Sequence, residues 1–142
     1  MKMNLNEAKT ILNKSGYLLE NEELISKEKI IKFAYLYCLL KDRGIDVNSN
    51  ENNVFAGEVN FYLDDLDIYI SSDPYGWTAG VERDSDIIYF SVLVDENEGS
   101  SRGAKFSFDE LLTLVKKRNF AEIKKIALEI QNDKTLKLNS EL

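Results

Sequence analysis

The chain has no histidine, one cysteine, one proline and one tryptophan among its 142 residues. Each shortage closes off a chemistry. Without histidine there is no imidazole base, no Ser-His-Asp or Cys-His pairing and no imidazole metal ligand. Cys38 alone makes neither an internal disulfide nor a thiolate zinc site, and its isolation fits a reducing compartment. No glycine-rich turn leads into a lysine, so a phosphate-cradling loop is missing; Ser100-Ser-Arg-Gly103 reads as a flexible connector. Met1 to Asn6 lacks the apolar core of a signal peptide, and no apolar run nears the roughly 18 residues of a membrane span. These absences predict a cytoplasmic protein without a cofactor.

What is present suits a globular protein. Hydrophobic residues make up 44% and aromatic residues 11% of the chain, well away from disordered compositions. A length of 142 residues predicts one domain, residues 1–142, that buries roughly two-thirds of its unfolded surface without help from a metal.

Charge is the strongest signal, because it is uneven. The net charge is −7, yet Gly44 to Ser101 holds thirteen acids against the single base Arg83, a net of −12 over 58 residues. The remaining 84 residues carry seventeen bases and twelve acids, a net of +5. Affinity for nucleic acid comes largely from lysine and arginine on phosphates. An acidic surface therefore disfavours direct nucleic-acid binding and favours a basic protein partner.

Helix signals lie at both ends. Asn4-Leu-Asn-Glu7 has the residues of a capping box, and Ala8, Ile11 and Leu12 recur at helical spacing up to the stop at Gly16. Ser26 caps a second helix with Ile25 and Ile30 as its staple. Ile30, Phe33, Ala34, Tyr37, Cys38 and Leu40 form its apolar face, and Gly44 ends it. Ser107-Phe-Asp-Glu110 and Asn119-Phe-Ala-Glu122 repeat the cap for two C-terminal helices. The expected units are a helical hairpin over 5–44, an acidic sheet over 54–94 and a helix pair over 107–133.

Between them, Val59, Phe61 and Leu63 alternate with Glu58, Asn60 and Tyr62. Ile68 and Ile70 alternate with Asp67, Tyr69 and Ser71. Trp77, Ala79 and Val81 also alternate, and Ile87 to Val94 is a longer strand. Short turns at Leu63-Asp-Asp-Leu66, Ser72-Asp-Pro-Tyr-Gly76 and Glu82-Arg-Asp-Ser-Asp86 make neighbouring strands antiparallel. Asp95 to Gly103 reads as a polar loop. The predicted fold is α+β, a four-stranded antiparallel meander packed by helices in the order α-α-β-β-β-β-α-α.

Candidate sites fall within the acidic segment. Asp64, Asp65 and Asp67 are the best oxygen ligands for Mg²⁺ or Ca²⁺, but neighbouring strand residues point to opposite faces and calcium-loop spacing is missing. Solvated turn carboxylates are the simpler reading. Glu122-Ile-Lys124 has a nuclease-like spacing but sits on a predicted helix. Asp73-Pro-Tyr-Gly-Trp77 is either plain turn chemistry or, through Tyr75 and Trp77, an exposed anchor; core packing suits Trp77 better. Cys38 on an apolar helix face reads as buried and inert. Lys116-Lys-Arg118 with Lys124-Lys125 reads as the wet side of amphipathic helices.

Leu5-Asn-Glu-Ala-Lys-Thr-Ile-Leu-Asn-Lys-Ser-Gly-Tyr-Leu-Leu-Glu20 resembles the start of small uncharacterised proteins from phages and mobile elements of low-GC bacteria. The resemblance covers sixteen residues and implies a context, one that includes inhibitors of host defence nucleases such as anti-CRISPR proteins. It carries no functional residue across.

The leading expectation is a non-enzymatic interaction protein that blocks a basic nucleic-acid-binding surface by mimicking nucleic acid. Its partner-binding residues are expected to be Glu58, Asn60, Tyr62, Asp64, Asp65, Asp67, Tyr69, Asp73, Tyr75, Glu82, Asp84 and Asp86. The alternatives are a carboxylate- and Mg²⁺-dependent small hydrolase or nuclease, and an assembly subunit whose sheet edge pairs with a copy of itself. The bland reading is a solvated face that keeps the protein soluble.

Overall fold

The helices begin where a short polar side chain takes up a free amide. In the computed structural model, which describes residues 2–14, 18–19, 25–48, 54–55, 57–72, 84–95, 97 and 99–138, Asn4 Oδ1 accepts from Glu7 N at 2.8 Å. Ser26 Oγ accepts from Lys29 N at 3.1 Å, Ser107 Oγ from Glu110 N at 3.2 Å and Asn119 Oδ1 from Glu122 N at 3.3 Å. Each satisfies one of the four amides that a helix start leaves open. The helices are α1 (Leu5–Lys14), α2 (Lys27–Asp42), α3 (Phe108–Lys116) and α4 (Phe120–Asn132).

Helix ends follow the same logic from the carbonyl side. Gly44 sits at φ +77 after α2. Its amide donates to Lys41 O and that of Ile45 to Leu40 O, the paired bonds of a Schellman stop. The end of α3 repeats these bonds, with Arg118 N on Val115 O and Asn119 N on Leu114 O. There the left-handed residue is Arg118, at φ 58.

Seven strands lie among the described residues: β1 (Leu18–Leu19), β2 (Asp46–Val47), β3 (Val54–Phe55), β4 (Glu58–Leu63), β5 (Leu66–Ser71), β6 (Ile87–Asp95) and β7 (Ser100–Ser107). β2, β4, β5, β6 and β7 form one antiparallel sheet in that order, and β1 pairs with β3 in parallel. The α+β class stands, but among the described residues the sheet has five strands rather than four, and β1 interrupts the expected succession of two helices.

β7 is the main correction. Ser100 to Gly103 belongs to a strand, not to a polar loop. Its composition is misleading because only Ala104 and Phe106 supply apolar side chains. The strand forms by register with β6 from Ile87↔Ser107 to Leu93↔Ser101. Arg102, on the helix side, finds partners: Nη1 donates to Gln131 O at 2.8 Å and Nε to Leu136 O at 3.2 Å. The predicted strand over Trp77 to Val81 lies outside the described residues.

The core sits between the sheet and the helices. Val59, Phe61, Ile68, Ile70, Ile88, Phe90 and Val92 supply the sheet side, and Phe33, Leu36, Leu40, Phe108, Leu111, Val115, Ile123 and Ala127 the helix side. Phe33 and Phe108 meet edge to face, 4.8 Å between ring centroids, a favoured geometry for aromatic pairs. No helix among the described residues is long and apolar enough to cross a membrane.

Two turns make testable demands. Gly57 holds φ +81, and a Cβ there collides with Ser72 Oγ. Gly57→Ala therefore lowers stability by about 2–4 kcal/mol, combining left-handed strain with overpacking. Arg118→Gly acts oppositely and raises stability by about 1 kcal/mol, since glycine carries no Cβ penalty at that φ. Urea unfolding of the two variants checks both signs.

Candidate functional site: the outer face of the sheet

Hydrogen-bond phase decides which side chains of the meander stand together. Ser72 N donates to Gly57 O at 2.7 Å, which makes that pair a bonded one and fixes the alternation along β4 and β5. Glu58/Ser71, Asn60/Tyr69 and Tyr62/Asp67 are then the non-bonded pairs, whose side chains approach most closely. All three pairs lie on the face away from the helices, because their neighbours Val59, Phe61, Ile68 and Ile70 enter the core. The rows continue through Tyr89 and Ser91 of β6 to Lys105 and Gly103 of β7. Asp46 of β2 stands opposite Tyr62 on its other flank.

Asp67 is the hub of this face. One carboxylate oxygen accepts from Asn60 Nδ2 and the other from the Tyr69 hydroxyl at 3.0 Å. Asn60 also donates to Ile68 O at 3.0 Å, so both amide hydrogens are used. Asn60 stands on the outer face as its alternation predicts, but at 7% exposure it is a buried positioning group rather than a contact residue.

Electrostatics keep the two phenols of this face protonated. Burial, the hydrogen bond to Asp67 and the nearby negative charges push the Tyr69 hydroxyl far up. Burial and the charges of Asp67 and Asp46 push Tyr62 up as well. Both phenols therefore remain neutral donors at physiological pH. Glu58 reaches solvent, but the protein around it and the charge of Asp67 push its carboxyl above its ordinary value. Tyr62, 40% exposed, is flanked by two carboxylates. That arrangement suits a cation, which gains from the aromatic face and from the negative charge on either side.

Asp64, Asp65 and Asp86, expected as contact residues, stand elsewhere. Asp64 and Asp65 form the β4–β5 turn, where Asp64 adopts φ 54. Its carboxylate binds Lys124 Nζ of α4 at 2.8 Å, so its charge is answered within the chain. Asp86 lies beside α2 and α3. It accepts from Lys32 Nζ at 3.0 Å, from Asp109 N at 3.1 Å and from the Ser107 hydroxyl. Asp84 is exposed just before it. Asp73, Tyr75 and Glu82 lie outside the described residues, as does the rest of Asp73-Pro-Tyr-Gly-Trp77.

Sequence reasoning missed Asp46, Ser71, Tyr89 and Lys105 on the outer face. Alternation marks Ser71 and Tyr89 as outward, but nothing in one sequence states which strand residues stand opposite one another. It also missed the lysine pair of α2. Lys29, 2% exposed, has its ammonium pushed down by burial, against the raising effect of Asp86 and Asp84. Lys32 is also buried, yet its bonds to Asp109 and Asp86 outweigh that burial and push it up. Cys38 is half-buried with its thiol pushed up by burial, an unreactive state. Among the described residues, no group of three or more aspartate, glutamate or cysteine side chains is gathered to hold a metal ion.

Asp86 gives a pH test. Burial opposes its charge, but Ser107, Lys32 and the Asp109 amide together hold its carboxyl below the ordinary 3.8. A depressed folded value stabilises above the unfolded value and loses that contribution as pH falls through the folded one. Asp86→Asn therefore costs about 1–2 kcal/mol at pH 7, the size of a lost cap with a weakened ion pair. Below the ordinary 3.8 the gap between the two proteins closes progressively. Thermal unfolding at neutral and acid pH measures it. Comparison of the chain with protein-family models, with curated proteins and with solved structures finds no match.

Proposed function

We propose that this chain is a non-enzymatic binding protein whose outer sheet face takes a basic surface of a partner protein, one that otherwise holds nucleic acid. The observation that carries this reading is the row Asp46–Tyr62–Asp67 with Glu58 beside it. Carboxylates alternate there with an exposed aromatic ring on a rigid sheet, and internal donors hold Asp67 in place without neutralising it. A basic groove that accepts phosphates and stacks bases meets the same two features here, negative charge and flat aromatic surface. The resemblance of Leu5–Glu20 to small phage proteins accords with an inhibitor of a host protein.

The contact set is narrower than composition predicts. Asp64 and Asp86 belong to internal ion pairs, and on the outer face Glu58, Asp67, Tyr62 and Asp46 are the residues proposed to meet the partner. A ten-residue arginine peptide is the simplest probe. Binding weakens as salt rises, because exposed charge pairs are screened within about 10 Å at 0.1 M salt. Glu58→Gln with Asp67→Asn reduces affinity about tenfold, two charge contacts of up to about 1 kcal/mol each. The charge-matched control Glu110→Gln with Glu129→Gln leaves it unchanged. Equal losses in both double variants sink the proposal, because they make the attraction one of net charge alone.

A further inference from the structure

Register and exposure together single out one ring on the outer face. Asn48 N donates to Asn60 O at 3.0 Å, so that pair is a bonded one, and Asp46/Tyr62 is the next bonded pair along. Bonded pairs hold their Cα atoms about 5.5 Å apart, and non-bonded pairs about 4.5 Å. Tyr62/Asp67 is of the second kind. The Tyr62 ring thus has a carboxylate on each side, and residues directly opposite share a face. Among the described residues Tyr62 is the most exposed aromatic side chain. Asp46 is exposed beside it. Asp67 is oriented, because each of its oxygens already accepts one hydrogen bond, from Asn60 and from Tyr69.

The cations a protein can offer to such a place are not equivalent. A lysine ammonium is a compact, strongly hydrated point charge, and it gains little from one ring that water also reaches. A quaternary ammonium is held by a cage of several rings, and a single ring does not enclose it. A guanidinium is planar and weakly hydrated, stacks flat on an aromatic face and carries its five N–H donors in its own plane. Stacked on Tyr62, it turns those donors outward to the carboxylates on either side, where charge-assisted bonds form. We propose that Tyr62, Asp46 and Asp67 form the seat of one arginine side chain of the basic partner, so that the outer face prefers arginine to lysine. The inference rests on the binding face proposed above and adds the residue type that this face selects. The carboxylates supply attraction for any cation, and the ring supplies the discrimination.

Calorimetric titration of the intact chain with the ten-residue arginine peptide and with a lysine peptide of the same length and charge, at one salt concentration, tests the proposal. The arginine peptide is expected to bind about tenfold more tightly. Tyr62→Ala narrows that ratio to about twofold or less, whereas Tyr62→Phe, which keeps the ring, preserves it. Equal affinity of the wild-type chain for both peptides overturns the arginine seat and leaves the acidic binding face standing. So does a tenfold ratio that survives in a folded Tyr62→Ala variant. Binding of neither peptide removes the binding face itself, and the seat with it. Should Tyr62→Ala fail to fold, the Tyr62 ring protons of the wild-type chain decide. Shifts in their resonances with the arginine peptide alone support the seat, and equal shifts with both peptides, or none with either, refute it.

Discussion

The carboxylate of Asp86 is the constraint on which the helical layer depends. It accepts from Lys32 of α2, from the Ser107 hydroxyl at the end of β7 and from the Asp109 amide in the first turn of α3. Its own main-chain oxygen takes the Phe108 amide. One residue thus joins α2, α3 and the strand ends that lead into and out of the β6–β7 hairpin. Lys32, 9% exposed at its side chain, sits on this group and on Asp109 at 2.9 Å. A cation so enclosed is tolerable only with its acids present, since desolvation otherwise outweighs what packing gains. Lys32 also lies 6.0 Å from the centroid of the Phe108 ring, which meets Phe33 edge to face. Polar bolt and aromatic contact therefore hold the same junction, and neither forms without the other helix in place.

The sheet has two faces of different chemistry, and neither is simply wet. Towards the helices the pairing is aliphatic and aromatic. On the opposite side Asn60 and Ser91 are buried polar groups, Tyr69 is committed to Asp67, and Tyr89 overlies a glycine. Such a face is expensive to build if its only role is to meet water, because each polar group there needs its own partner. Its order is the property that distinguishes it from a merely charged surface. The carboxylates of Glu58 and Asp67 and the Tyr62 ring stand on paired strand backbone, so the main chain beneath them has little freedom left to lose on contact.

Local chemistry was legible in the sequence and long-range pairing was not. Asn4, Ser26, Ser107 and Asn119 announce their helices because a cap needs only residues three apart, and Gly44 announces a stop because few residues accept its φ. The second stop, at Arg118, is invisible to the same rule, since arginine gives no sign of the left-handed turn it adopts. Strands β4 and β5 follow from alternation with a two-residue turn. β7 escapes because its serines, arginine and glycine acquire strand character from β6, not from their own propensity. The same gap explains the reassignment of Asp64 and Asp86. Counting charge places both on an acidic surface, whereas Lys124 lies 60 residues from one and Lys32 54 residues from the other, separations that no local pattern spans.

The distribution of charge about the sheet has a mechanical consequence. Lysines 116, 117, 124 and 125 belong to the helical layer, and Glu58, Asp67 and Asp46 to the opposite side. The molecule thus carries an electrical axis running through the thickness of the sheet. Near a positively charged body such an object feels a torque before it feels a contact, and it turns its carboxylates forward while still separated by water. Orientation then precedes collision, and fewer encounters are wasted on the wrong face. The same torque drives the helical layer towards anionic surfaces.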